Sequence, residues 1–252
     1  MQALSVQQSV ELFHLLLLSF LGKKTDKSRY ALKGGCNLRF FFGSPRYSED
    51  MDIDVANVPV HVVQDTVGGI LDSNPFRQAL RVYRVDVEHV TEHKQSETTQ
   101  RWKLGLLTPG TAQVVPTKVE FSRRGLRGGA VLGSVSPTLV QGYGLPPIMA
   151  PHYPGDVALL QKIEALATRS VPQARDIFDL HLLLSRERAQ AIGSLKPDVK
   201  EAARLRSLDL SFDDFKGQVL AYLDPNDRAA YDSPAAWDAM QLSVLEMLED
   251  AT

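Results

Sequence analysis

The hydrophobic and polar positions of this 252-residue chain change period several times, and each change marks an element. Apolar residues crowd the stretch from about residue 5 to 21 and predict a helix. A short apolar strand over 29–33 runs into Gly34-Gly35, a second helix is expected over 35–42, a strand over 50–55, and a helix over about 60–72. Strand-like runs follow at Leu80 to Val90, Arg101 to Leu107 and Lys118 to Arg123. In the first of these, Tyr83, Val85 and Val87 alternate with Arg84, Asp86 and Glu88, the period of a half-buried strand. Residues 125–155 are broken by Gly and Pro, including Gly142-Tyr-Gly-Leu-Pro-Pro, and predict turns. After Gly155 the pattern becomes helical, with Asp156 near a helix start and a last helix over Pro234 to Glu249. The order predicts an α+β fold: a mixed sheet flanked by helices over 1–150, then a mainly helical domain over 151–252.

Composition narrows the classes. Hydrophobic content of 44% and charged content of 23% are those of a soluble globular chain. A formal net charge of −2 excludes a strongly basic nucleic-acid coat but allows local patches. The single cysteine, Cys36, cannot close an internal disulfide and fits a reducing cytoplasm, where it reads as a small buried residue at a helix start. The apolar run Phe13 to Leu21 is too short to span a bilayer. It is preceded by Glu11 rather than a basic residue and lacks a small-residue cleavage site, so a helix packed on the sheet is expected, with no membrane partner.

The chemistry concentrates in Tyr47-Ser-Glu-Asp-Met-Asp-Ile-Asp-Val55. In a strand, Asp50, Asp52 and Asp54 fall on one face while Met51, Ile53 and Val55 fall on the other. Like charges that close cost stability unless something positive sits against them, and Mg²⁺ with oxygen ligands is the usual compensation. Alternating carboxylates can also serve an edge strand for solubility alone. Just upstream, Gly34-Gly35 between a strand and a helix lets the backbone approach a phosphate, with helix-start amides aimed at the anion. A phosphate cradle followed by a carboxylate strand favours chemistry over solubility.

Two segments, Lys33-Gly34-Gly35-x-x-Leu38-Arg39 and Pro45-Arg46-Tyr47-Ser48-Glu49-Asp50-Met51-Asp52, resemble the AbiEii/AbiGii group of nucleotidyltransferases. These are toxins of AbiE-type (type IV, MenT-like) toxin–antitoxin pairs within the DNA polymerase β-like superfamily. Lys118-Val119-Glu120-Phe121 is similar to the family strand with the third acidic residue. Asp156 to Leu166 with Lys162, and Arg175-Asp176-Ile177-Phe178-Asp179-Leu180, are similar to its paired helices. Cys36 stands where the group often has Thr or Ser, which removes a hydroxyl from the cradle, and beyond about residue 190 the resemblance ends.

The resemblance implies a polymerase β-like core, completed at the nucleotide by the helical domain, which would also take the acceptor. Asp50, Asp52 and Glu120 become metal ligands for a two-Mg²⁺ site and, with Lys162 and Asp176, the catalytic set. Strand geometry agrees with Glu120, since residues two apart lie about 6.6 Å apart along the axis and Asp54 falls twice that distance from Asp50. Glu120 is also the candidate to accept the attacking hydroxyl's proton. Lys33, Gly34, Gly35, Arg46, Ser48, Lys162 and Arg175 become nucleotide contacts, with Asp176 positioning Lys162 and Arg175 able to pair with Asp179 at i,i+4. The partners implied are a nucleoside triphosphate, an RNA acceptor with tRNA as the candidate, and a cognate antitoxin. Arg101, Lys103, Arg123, Arg124 and Arg127 offer a basic patch for that acceptor, although solvated strand edges would look the same. Transfer to a protein hydroxyl or a small molecule, or binding without catalysis, are the alternatives. Replacing Asp50 by Asn is expected to abolish turnover and leave the fold as stable or stabler, by relieving repulsion.

Overall fold

Ser5 begins the first helix with a capping box, its hydroxyl accepting from the Gln8 amide at 3.1 Å while the Gln8 side chain accepts from the Ser5 amide at 2.9 Å. This computed structural model describes residues 3–184 and 189–250. The chain forms two compact units, one of residues 1–43 and 47–153, the other of 44–46 and 154–252.

In the first unit the elements are α1 (Val6–Lys24), β1 (Tyr30–Lys33), α2 (Gly34–Phe42), β2 (Asp50–Val55), α3 (Val60–Leu71), α4 (Asn74–Arg81), β3 (Asp86–Gln95), β4 (Thr99–Thr108), β5 (Thr111–Ser122), β6 (Val131–Ser134), α5 (Pro137–Gly142) and β7 (Met149–His152). The strands form a mixed seven-stranded sheet in the order β3-β4-β5-β2-β1-β7-β6. β2 sits at its centre, antiparallel to β1 and parallel to β5. Its alternate residues Met51, Ile53 and Val55 are buried, as are Val119 and Phe121 of β5. α1 is apolar nearly all round (Leu12, Phe13, Leu15 to Leu18) and is buried with the same core, as a helix of that pattern must be. No helix among the described residues is long and apolar enough to cross a membrane.

The strand expected over residues 80–90 begins only at Asp86, after a helix end and a turn. Ser73 caps α4 by accepting from the Phe76 amide, Pro75 sits in its first turn, and Phe76 and Leu80 are both buried on one helical face. Arg84 then turns the chain at φ 58° and β3 begins at Asp86. The period-2 alternation at Tyr83 and Val85 is that of a turn between two elements. The turn-rich stretch 125–155 also contains more structure than its Gly and Pro suggest, because β6 and β7 are only four residues each and pair with one another.

The second unit holds α6 (Gly155–Thr168), α7 (Ala174–Leu184), α8 (Pro197–Leu208), α9 (Phe212–Gln218), α10 (Pro225–Arg228) and α11 (Pro234–Asp250), with short 3₁₀ turns at Ala189–Ser194 and Leu220–Tyr222. Its core is partly aromatic: Phe215 lies 5.1 Å from Trp237, and Phe178 meets Tyr231 edge-on at 5.2 Å.

Candidate active site

Strand register assembles the polar face of the first unit. In the parallel pair β2/β5, Asp50 stands opposite Lys118 and Asp52 opposite Glu120. On the other side of β2, β1 sets Lys33 opposite Asp52, and beyond β5, β4 sets Arg101 opposite Glu120. One row across four strands therefore reads Lys33, Asp52, Glu120, Arg101. Residues paired in this way share a face.

The carboxylates are compensated by cations of the chain itself. Lys118 Nζ lies 3.0 Å from Asp50 Oδ2. Arg101 Nε donates to Glu120 Oε2 at 2.7 Å. Lys33 Nζ donates to Asp54 Oδ1 at 2.5 Å, and the Tyr153 hydroxyl donates to Asp54 Oδ2 at 2.8 Å. Asp52 has no hydrogen bond and no ion pair among the described residues. Burial pushes its carboxyl above the usual range, Asp50 and Glu120 push the same way, and Lys118 and Lys33 oppose them.

Gly34 closes one side of this face. Its φ of 66° is left-handed, and a Cβ there would meet Asp52 Oδ2 at 3.1 Å. The α2 N-terminus thus lies against the Asp52 carboxylate, and Lys33 at its N-cap makes no side-chain capping bond. Beneath the strand start, Asp50 O accepts from Ser48 Oγ at 2.8 Å and from Cys36 Sγ at 3.3 Å. Thr117 Oγ1 donates to Glu49 O at 2.7 Å and lies 2.9 Å from Nε2 of the buried His14. Burial lowers the His14 pKa to about 3, so this support carries no charge near neutrality. Burial also pushes the Cys36 thiol far up.

Among the described residues, no three His, Cys, Asp or Glu side chains already form a metal-holding cluster. The donor set nonetheless fits a hard divalent ion. All three candidate side chains are carboxylates, Asp52 is unpartnered, and its neighbours Asp50 and Glu120 are half-buried and held by single cations.

The second unit encloses a different charge cluster. Arg46 donates to both oxygens of Asp179, at 3.2 and 3.0 Å. Lys162 Nζ lies 2.6 Å from Asp179 Oδ2 and 3.1 Å from Asp176 Oδ1, and Arg169 Nε lies 3.2 Å from Asp176 Oδ2. Both aspartates are fully buried. Burial pushes Asp179 up, but Arg46 and Lys162 outweigh it and hold the carboxyl below its ordinary range.

A family model described as nucleotidyl transferase AbiEii toxin, type IV toxin–antitoxin system, matches residues 15–251. The chain belongs to the AbiEii toxin family. It is a nucleotidyltransferase, and its family implies a nucleoside triphosphate substrate and an antitoxin partner. Its fold is similar to that of MenT4, a nucleotidyltransferase toxin from Mycobacterium tuberculosis H37Rv, at a TM-score of 0.63 and 21% identity over 96% of this chain and 84% of that one. It is also similar to JHP933 from Helicobacter pylori, at a TM-score of 0.58 and 17% identity over 98% and 96% of the two chains. No curated protein matches the sequence.

Within this AbiEii toxin, Lys33, Gly34, Gly35, Asp50, Asp52 and Glu120 come together in the first unit, and Arg46, Lys162 and Asp176 in the second. Ser48 turns its hydroxyl to the Asp50 carbonyl. Arg175 is half-buried and joins no ion pair among the described residues; its i,i+4 partner Asp179 is taken by Arg46 and Lys162. Of the basic patch, Arg101 is paired to Glu120, and Arg123 donates inward to Gln100 Oε1 at 2.9 Å and Val58 O at 2.6 Å. Lys103, Arg124 and Arg127 remain exposed. Sequence reasoning missed Lys118, Tyr153 and the use of Asp54; Lys118, two residues before Glu120, was the one with a periodic signal.

The relief of repulsion expected of Asp50→Asn belongs to Asp52, because Asp50 has Lys118 and Asp52 has no partner. The raised Asp52 pKa means that the folded state holds a proton more tightly than the unfolded chain. Stability is thus lost as pH rises from the ordinary carboxylate range through the raised value. In metal-free buffer, Asp52→Asn is expected to unfold at higher urea than the parent at pH 7, with the gap closing toward pH 3.5. Equal midpoints at pH 7 contradict this. Removing Asp179 takes from the buried Arg46 and Lys162 the carboxylate they share, so Asp179→Ala is expected to cost about 3 kcal/mol in urea melts, against less than about 1 kcal/mol for the exposed Asp213→Ala. A loss at Asp179 no larger than at Asp213 contradicts the assignment.

Proposed function

We propose that this toxin transfers a nucleotide from a nucleoside triphosphate to an RNA acceptor, with Mg²⁺ held by Asp50, Asp52 and Glu120. The observation that carries the reading is the unpartnered Asp52, set against Glu120 on β5 and against the glycine start of α2. Bound there, Mg²⁺ would offset the triphosphate's charge and stabilise in-line displacement at the α-phosphate.

The chain's own groups supply the rest. The first-turn amides of α2, with the helix dipole behind them, face anions, and Gly34 lets a phosphate approach the backbone. Lys33, at the start of that helix, adds an ammonium for the same phosphates. Glu120 accepts the proton of the attacking hydroxyl, once Arg101 shares it with the incoming substrate. In the helical unit, Lys162 keeps the nucleotide role that the resemblance gives it, and Asp176 and Asp179 fix its ammonium. Arg46 supports Asp179. The exposed Lys103, Arg124 and Arg127 favour a polyanionic acceptor.

The test offers each radiolabelled nucleoside triphosphate with Mg²⁺, total RNA and cell extract to the wild type and to Asp50→Asn. Label on RNA that falls at least about a hundredfold in a folded Asp50→Asn variant is the expected result. Label on protein instead of RNA overturns the acceptor, and activity that survives both Asp50→Asn and chelation overturns the metal site.

A further inference from the structure

Asp54 is the β2 carboxylate left outside the proposed ligand set, and at 5% exposure it is the most buried of the three. Both its oxygens are used, one by Lys33 Nζ and the other by the Tyr153 hydroxyl. Tyr153 is fully buried, and its hydroxyl in turn accepts from the Arg127 backbone amide at 3.1 Å.

Lys33 is not the cross-strand partner of Asp54. In the antiparallel register of β1 and β2 it stands opposite Asp52, while Asp54 stands opposite Ala31. Opposite charges directly across an antiparallel pair ordinarily attract one another. Here the ammonium takes the diagonal carboxylate, and Asp52 is left without an ion pair. The diagonal choice has a physical cause. Asp54 is fixed in place by a buried phenol, so its second oxygen is already oriented to accept from the ammonium.

We propose that Asp54, braced by Tyr153, is a positioning residue that keeps the Lys33 ammonium off Asp52, so that Asp52 stays open to a divalent cation. The inference rests on the cation site of the proposed function. Asp54 touches neither cation nor substrate and acts through Lys33. Without its charge, Lys33 turns to the carboxylate facing it and becomes an internal competitor for the ion.

The experiment is Mn²⁺ titration by calorimetry on the full chain, without nucleotide, for the wild type, Asp52→Asn, Asp54→Asn, Lys33→Met and Asp54→Asn/Lys33→Met, each checked for folding by urea melt. Asp52→Asn is expected to abolish binding, and Asp54→Asn to weaken it about tenfold. Adding Lys33→Met to Asp54→Asn is expected to raise binding by more than Lys33→Met alone raises it in the wild type, which a merely structural role for Asp54 would not allow. Should Asp54→Asn not fold, Tyr153→Phe replaces it, with a loss of about threefold on which Lys33→Met again gains more than in the wild type. Unchanged binding in the Asp54 or Tyr153 variant, or a gain from Lys33→Met no larger there than in the wild type, overturns the inference while leaving the cation site standing. Wild-type binding indifferent to Asp52→Asn overturns the cation site, and this inference with it.

Discussion

Carboxylates set on one face of a sheet repel one another, and the first unit is arranged around that repulsion. The parallel register of β2 and β5 brings Asp52 beside Glu120, and the β-pleat brings Asp50 and Asp54 to the same face. No rearrangement of loops can separate them, because the register is fixed from the other side of the sheet. There Met51, Ile53, Val55, Val119 and Phe121 are buried, and a slip of one residue would turn all of them to solvent. The core therefore enforces the charge, and the charge has to be met locally. Lys118, Arg101 and Lys33 meet it for three carboxylates, and Gly34 brings a helix start against the fourth.

The two units treat charge differently, and the difference has a functional sense. The ion pairs of Asp50 and Glu120 are about a quarter to a third exposed, with side-chain exposures of 35% and 23%, so each is worth little and exchanges easily for a better partner. The cluster of the helical unit is sealed: Asp176 and Asp179 are at 0% and Lys162 at 10% side-chain exposure. Breaking such a pair leaves a charge in a poor solvent, which makes it a fixture. On the proposed function, the first face has to bind and release ligands, which weak internal partners allow, and the second has to hold Lys162 in place, which strong ones do.

Much of this was legible in the residues. The strand Asp50 to Val55 announces its two faces by alternation, Gly34-Gly35 announces a backbone that must bend or be approached, and α1 and α11 announce themselves by apolar content. The counter-ions were harder to see. Pairing Arg101 with Glu120 depends on β4 being the neighbour of β5, and pairing Tyr153 with Asp54 joins residues 99 apart in the chain. Alternation alone also misled at Tyr83 to Val87, where a helix end and a left-handed Arg84 imitate a strand. Asp54 was placed correctly on its face, yet its partner was invisible, because local periodicity says which way a side chain points and not what it meets. Likewise the i,i+4 pair of Arg175 and Asp179 was a sound local inference that lost to Arg46, a residue 133 positions away from Asp179.

Asp50, Asp52 and Glu120 are proposed to hold a divalent ion, to which Lys118 and Arg101 give way. Anomalous diffraction from crystals grown with Mn²⁺ tests this most directly. An anomalous peak within ligand distance of all three carboxylates is expected, with Lys118 and Arg101 withdrawn from Asp50 and Glu120. A peak held by other residues, or a fully metal-saturated crystal in which Asp52 touches no ion, would contradict it.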